Sequence, residues 1–504
     1  VTNQVHPLTP SNNLDEPTQT TRHYIAVLAS IVLLFEIAPL EFSMIYPSLR
    51  YMSAEFPTPH IGWVLTTVSL TGIIAMPIIG KLGDIYGKKR MLMCVAGLFA
   101  LGSLICATAP NFQLLLIGRV LQATSIGITP IAYGLIRDTF PKRMVPIALA
   151  AVSTGIGLNG IIGPILGGYL ATEFGYRAIF WFLLGYVVIL APIVYLLASE
   201  SPLRLRHRLD WIGAILLGGG AALLLLGISQ GPQWGWGSVR VFGALAASLV
   251  LTSIFVAHQL RTEQPLVDIR LLAMPVMRDS MLAGLFASFV IGGFAFALPL
   301  MLMTPREVGI SYGFGLTALA YALWTTTHGL AGMVGGPLAG LLARRSGPRS
   351  SLIIAMASLA ISVTLLAFYH DHLWQIAVLA GLYGLGMGFF YASQANLVVE
   401  SVPASQTGAS AGMVGCVNSL GPALGVTVLG AVLAANTLPT EPAVRQIVYS
   451  EAGFTYALLA AAVSAVLGLV VAMRMKDGRS PATGGAAAPR LPARGLAGAK
   501  ADQS

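Results

Sequence analysis

Apolar residues in this chain come in long runs separated by short polar breaks. Fourteen such runs can be marked, at 25–48, 61–79, 91–108, 112–134, 145–170, 178–198, 212–230, 240–258, 278–303, 315–342, 351–369, 374–398, 408–434 and 455–473. Each is close to the ~20 residues that an α-helix needs to cross a bilayer. Strands of a membrane barrel would instead alternate over about 10 residues, and no such alternation is seen. The pattern predicts an all-α polytopic membrane protein. A polar tail (1–24) and an Ala/Gly/Pro-rich tail (474–504) are expected to be disordered and cytoplasmic.

Composition agrees. The 504 residues are 56% hydrophobic and only 10% charged, where a soluble domain carries about 25% charged residues. Mean hydropathy is +0.77. Cys94, Cys106 and Cys416 all fall inside apolar runs, so neither a disulfide framework nor metal-ligand spacing is expected. The first run is longer than a signal-peptide core and carries two carboxylates, which reads as a retained span. No phosphate-binding loop of the G-x-x-x-x-G-K-[ST] type occurs. No enzyme activity, cofactor or metal is expected, nor any nucleic-acid partner, because the basic residues sit in loops next to the bilayer.

Charge placement sets an orientation. With the N-terminus inside, the inner loops hold Lys81, Lys88, Lys89, Arg90, Arg137, Lys142, Arg143, Arg204, Arg206, Arg208, Arg261, Arg270, Arg278, Arg344, Arg345 and Arg349. The outer loops hold only Arg50, Arg177, Arg240, Arg306 and Arg445. The positive-inside rule favours this arrangement, with both termini cytoplasmic in a bacterial inner membrane.

Two patterns occur twice. GKLGDIYGKKR (80–90) follows the second span and GLLARRSGPR (340–349) the tenth; GPILG (163–167) lies in the fifth span and GPALG (421–425) in the thirteenth. The shared spacing predicts a duplicated unit. Two six-helix bundles, spans 1–6 (25–198) and 9–14 (278–473), would flank an inserted pair, spans 7–8, within 199–277. Parallel repeats of this kind build a central site between two rocking halves.

Chemistry inside the membrane is concentrated in few residues. Glu36 and Glu41 lie in the first span and Arg119 in the fourth. Charge at bilayer depth costs at least ~2.5–3.5 kcal/mol and marks ion, proton or substrate paths. The two glutamates are five residues apart, which points them about 140° apart on a helix. Pro39 between them can kink it. His328, midway along the tenth span, is a further relay candidate because histidine titrates near neutrality. In the fifth span, Gly155, Gly163 and Gly167 form one row of small residues and Gly160, Pro164 and Gly168 the next. Small residues at this spacing let helix backbones approach closely. Aromatic and polar groups expected to line a central cavity are Phe42, Tyr46, Phe286, Phe289, Phe389, Phe390, Tyr391 and Gln394, walls suited to amphipathic or cationic ligands.

These residues carry a resemblance. The G-x-x-x-D-x-x-G-[KR]-[KR] spacing of Gly80, Asp84, Gly87, Lys88, Lys89 and Arg90 resembles the loop signature of the major facilitator superfamily. In that superfamily the aspartate latches the outward-facing state. The Gly160, Gly163, Pro164, Gly167, Gly168 run resembles the antiporter motif of its drug:proton exporters. Arg119 in RVLQ resembles its fourth-span arginine, with Ala123 where glycine is usual. LDWIG (209–213), WGW (234–236) and PLVDIRL (265–271) resemble the fourteen-span drug:proton antiporters. In the first span, Glu41 stands at that family's aspartate, Ser43 at its threonine and Tyr46 at its asparagine. Glu36 is additional, and Arg344 replaces the aspartate in the second loop copy.

The resemblance implies a proton-coupled exporter of drugs or other amphipathic small molecules. Depth in the membrane, together with the family's acidic position at Glu41, makes Glu41 the expected main proton site, with Glu36 modulating it. The alternatives are an exporter of one endogenous metabolite, lipid or siderophore, and a membrane receptor or scaffold that transports nothing. The expected partners are protons, the bilayer and a lipophilic or cationic small molecule.

Overall fold

The computed structural model describes residues 21–481 apart from 142–143, 203, 205–208, 307–311, 402–406 and 439–447. The terminal tails beyond residues 21 and 481 therefore lie outside the described residues, as do Lys142, Arg143, Arg206, Arg208 and Arg445. Side chains are also not described at 146–147, 149–158, 399, 401 and 407–412, which includes the surroundings of Gly155.

The chain opens with α1 (Thr21–Phe35), α2 (Ile37–Ile45) and α3 (Leu49–Glu55), which together form one interrupted rod. Pro39 has no N–H to offer the Phe35 carbonyl, and the helix breaks at Glu36. Next come α4 (Trp63–Tyr86) and α5 (Lys88–Thr108), then α6 (Phe112–Gln122) and α7 (Ile128–Thr139), joined by a 3-10 turn at Ala123–Gly127. That turn precedes Pro130, which cannot donate to the Ile126 carbonyl. Then follow α8 (Val145–Phe174), α9 (Arg177–Leu197), α10 (Trp211–Trp234) and α11 (Val239–Arg261). A 3-10 turn at Ile269–Ala273 begins inside PLVDIRL (265–271) and leads into α12 (Pro275–Leu302). The remaining helices are α13 (Ala318–Ser346), α14 (Pro348–Phe368), α15 (Leu373–Ser401), α16 (Thr407–Ala434) and α17 (Glu451–Arg474). A two-residue antiparallel ladder, β1 (Thr437–Leu438) with β2 (Val448–Tyr449), departs from the all-helical expectation just before α17.

Among the described residues, twelve helical segments are long and apolar enough to cross a membrane. α8 and α13, of 30 and 29 residues, run among them. Helices start at side-chain caps: Asn111, Asp210, Ser238, Thr317 and Ser450 each accept a hydrogen bond from the backbone N–H three residues on.

The helices pack as two bundles. α5 packs against α6 and α9, and α2 against α8; in the second bundle α12 packs against α16 and α17, and α14 against α15 and α17. The internal repeat is visible in how the bundles are held. Gly167 of α8 rests on the Met44 backbone of α2, its absent Cβ lying 2.5 Å from Met44 Cα. Gly425 of α16 rests in the same way on Phe289 of α12. The two glycine-proline motifs therefore make the same contact in each bundle, fifth helix on first.

Two seams join the bundles, α4 against α16 and α8 against α13, and α10 packs on both α4 and α16. At the ends of α4 and α16 remote from Gly87, Thr66 Oγ1 lies 3.3 Å from Thr427 Oγ1. At the corresponding end of the other seam, the Leu319 N–H donates to Thr172 Oγ1 at 3.3 Å.

Candidate functional site

Glu41 and Arg119 meet although 78 residues separate them. α5 and α6 approach backbone to backbone: a Cβ on Gly102 would lie 2.6 Å from the Gly118 carbonyl. That contact draws Ser103, Cys106, Arg119 and Gln122 into one polar string. Arg119 Nη1 donates to Glu41 Oε1 and, at 2.8 Å, to Gln122 Oε1, while Nε donates to the Val64 carbonyl at 3.1 Å. Gln122 Nε2 then donates to Ser103 Oγ at 2.8 Å. Neither member of the ion pair has exposed side-chain surface. Arg119 Nη2 keeps no hydrogen-bond partner among the described residues.

Glu36 points elsewhere. Its Oε2 accepts from Asn159 Nδ2 of α8, and the same nitrogen lies 3.3 Å from the Glu36 carbonyl. Asn159 had no special standing in the sequence, and only its place one turn before Gly163 singles it out.

A group of tyrosines gathers around Tyr46. Tyr46, half-buried, faces both Arg119 and Tyr391. Tyr321 faces Tyr46, and Tyr383 is close to Tyr46, Tyr321 and Tyr391. Tyr383 is fixed by stacking on Phe294, 3.9 Å between ring centroids, and by donating to the Ile291 carbonyl at 3.2 Å. Tyr391 is 46% exposed although it sits well inside α15. Sequence reasoning named Tyr46 and Tyr391 and missed Tyr321 and Tyr383.

α8 carries two faces. Asn159, Gly163 and Gly167 meet Glu36, Ser43 and Met44 of the first rod. Gly160 and Gly168 meet α13: a Cβ on Gly168 would lie 2.6 Å from the Ala318 carbonyl, and one on Gly329 would lie 2.9 Å from the Gly160 carbonyl. The two glycine rows thus tie one helix to its own bundle and to the other.

The Major Facilitator Superfamily model matches residues 31–255 and 280–500, nearly the whole chain. The chain belongs to the Major Facilitator Superfamily. Among similar proteins is the Probable actinorhodin transporter of Streptomyces coelicolor, 28% identical over 73% of this chain and 65% of its own length. Multidrug resistance protein B homolog of Mycobacterium tuberculosis is 28% identical over 81% of this chain and 75% of its own. Tetracenomycin C resistance and export protein of Streptomyces glaucescens is 28% identical over 74% and 69%. The chain thus spans only 65–75% of the length of these relatives, less than two thirds of the first.

Solved structures of the same fold include a bacterial homolog to human lysosomal transporter Spinster in an inward-facing, occupied conformation. It has a TM-score of 0.64 at 16% identity, covering 90% of this chain and 97% of that one. The POT family transporter PepTSo matches with a TM-score of 0.64 at 13% identity, over 90% and 98%.

The GKLGDIYGKKR loop (80–90) is folded tightly onto its own bundle. Gly87 turns the chain with φ +109°, and a Cβ there would lie 2.7 Å from Glu200 Oε2. Glu200 accepts from the N–H groups of Lys89 (2.9 Å) and Arg90 (3.1 Å), a carboxylate on the N-terminus of α5. Lys88 bridges Asp84 and Asp138, both at 2.9 Å, its stem lying over Gly134. The Asp84 carboxylate is therefore bound to Lys88 in this structure. Gly80 packs on Pro130, the position without a Cβ 3.3 Å from that ring. In the second copy Gly347 (φ +83°) turns under Gly478, whose carbonyl accepts from Arg349 N at 3.0 Å. In both bundles the segment leaving the last helix closes over the loop glycine.

The remaining predicted residues are spread out. His328 turns Nδ1 to the Thr325 carbonyl of its own helix at 2.5 Å, with the Tyr383 ring 6.3 Å away. The Phe286 carbonyl accepts from Ser464 of α17 at 3.1 Å, and Phe289 packs against Gly421 and Gly425 of α16. Phe389 and Phe390 are buried, Phe42 is half-buried, and the buried Gln394 amide lies over Gly284 with Nε2 unpartnered among the described residues. Polar contacts tie the inserted pair and its linker to the first bundle. Trp63 Nε1 donates to Ser229 Oγ at 2.9 Å, and Lys81 Nζ donates to the Pro265 carbonyl at 2.8 Å.

Proposed function

We propose that this protein is a proton-coupled exporter of drugs or other amphipathic small molecules. It would work by alternating access across the bacterial inner membrane, as a fourteen-span drug:proton antiporter with both termini cytoplasmic. The observation that carries this reading is the buried Glu41–Arg119 pair in the first and fourth spans. Relatives named for multidrug resistance and antibiotic export support it. A carboxylate that loses its charge releases its cation. Protonation of Glu41 would therefore free the Arg119 guanidinium, and deprotonation would restore the pair. A cation among Tyr46 and Tyr391 favours ionised Glu41, so proton and substrate act as alternative occupants. Aromatic faces suit a lipophilic cation or a planar ring system. The second reading is an exporter of one endogenous compound, favoured by a relative named as an actinorhodin transporter.

The test is ethidium efflux from proteoliposomes under an imposed pH gradient, wild type and Glu41→Gln in parallel. Collapse of gradient-driven efflux in Glu41→Gln is expected. Undiminished coupled efflux in that variant would remove Glu41 from the mechanism. No wild-type efflux would favour the single-compound reading.

A further inference from the structure

We propose that Glu36 is a second proton-binding site, separate from the Glu41–Arg119 pair, whose occupancy is passed to α8 through Asn159. The proposal deepens the antiport reading and rests on it for its place in transport.

The first support is the carboxylate's setting. Glu36 sits at the break between α1 and α2 and is 6% exposed. Its Oε2 is held by Asn159, and its buried Oε1 has no hydrogen-bond partner among the described residues. A buried carboxylate with one oxygen left over has a ready place for a proton.

No ion pair to Glu36 is formed among the described residues. From α8 it meets Asn159; from α9 the titratable neighbour is Tyr186, whose hydroxyl donates to the Leu33 carbonyl at 2.8 Å. From α7 the nearest titratable ring is Tyr133, packed on Phe35 at 6.0 Å. The 3-10 turn at Ala123–Gly127 contributes no titratable group. Glu41, five residues on, is committed to Arg119. A proton bound at Glu36 is therefore not in direct competition with that guanidinium.

The second support is where Asn159 lies. It lies on the row in which Gly163 and Gly167 seat α8 on α2, while the neighbouring row seats α8 on α13. A hydrogen bond to an ionised carboxylate is about twice as strong as one to a neutral group. Protonation of Glu36 would loosen α8 from the first rod at one end of this row. α8 would then be freer to follow α13, which belongs to the other bundle. The first rod would thus hold two protonation sites with different readouts: Glu41 toward the substrate space, Glu36 toward the seam.

The direct test needs no substrate. Carboxylic-acid C=O absorption of the purified protein is followed by difference infrared spectroscopy from about pH 9 to about pH 5. Two protonation signals are expected, one missing in Glu36→Gln and the other in Glu41→Gln. Asn159→Ala should shift the Glu36 signal along the pH axis and leave the Glu41 signal in place. A Glu36→Gln spectrum identical to wild type, or an unmoved signal in Asn159→Ala, would overturn the proposal. In proteoliposomes, Glu36→Gln should still move ethidium but with about one proton fewer per molecule, and an unchanged ratio also overturns it. If wild type moves no ethidium while both infrared signals behave as expected, the drug-export reading fails and the Glu36 site stands.

Discussion

Arg119 and Glu41 form an ion pair with no exposed surface on either side chain. Removing one partner leaves an uncompensated charge, a loss of about 3–5 kcal/mol for buried pairs. Arg119→Ala should therefore lower the melting temperature in detergent strongly. The double variant Arg119→Ala, Glu41→Ala should recover part of that loss, since no charge is left stranded. A double variant no more stable than Arg119→Ala alone would mean that the Gln122 and Val64 contacts, not the pair, carry the stability.

Gly168 and Gly160 differ in the room available to a side chain. A Cβ on Gly168 meets backbone atoms of Ala318 at 2.6–2.8 Å, and backbone cannot swing away, whereas a Cβ on Gly160 meets nothing nearer than 4.0 Å. Gly168→Ala should cost about 1–3 kcal/mol, in the range of overpacked sites, and should reduce transport. Gly160→Ala should be near wild type in both. Equal behaviour of the two variants in thermal melts would contradict the observed α8–α13 contact.

Thr66 and Thr427 link the bundles at the ends of α4 and α16 remote from Gly87. Cysteines at both positions should form a disulfide, because the hydroxyls they replace are 3.3 Å apart. Under alternating access the cross-link should stop ethidium efflux and a reductant should restore it. Full efflux by the oxidised protein would show that this seam need not open.

Asp210 gives a pH prediction. Burial works against its charge, but hydrogen bonds from Gly213 N, His258 and Gln259 outweigh it and hold the carboxyl below its ordinary value of 3.8. A carboxyl lowered on folding contributes stability that is complete above its unfolded value and is lost as pH falls below it. Asp210→Asn should thus be less stable than wild type at neutral pH, with the gap closing only below about pH 4. Hydrogen exchange at 258–267, where Gln259 also accepts from the Val267 N–H, reads this locally. A gap that closes already near pH 6 would contradict this assignment to the Asp210 carboxyl.

Much of this molecule was legible along the chain. Most of the apolar runs coincide with a helix to within a few residues, because crossing a bilayer demands a fixed length of apolar helix. The loop glycines Gly87 and Gly347 were legible as a repeat, and both occupy left-handed backbone. The two rows of small residues in the fifth span were legible as two packing faces, since 3.6-residue periodicity alone assigns them. Glu41 and Arg119 stood out singly as charges too costly to bury without purpose.

Which groups meet was settled in three dimensions. No local rule links Glu41 to a residue 78 positions on, or Glu36 to one 123 positions on. Glu200 reads as an ordinary loop acid until it caps the N-terminus of α5. Tyr383 reads as one more apolar-run aromatic until it stacks on Phe294. His328 took the local option, a bond within its own helix. Periodicity tells a helix which face to bury and where its backbone can be approached. The partner opposite each polar group depends on how close neighbouring backbones come, and that is decided only when the glycine contacts of α5 with α6, α8 with α2 and α8 with α13 form together.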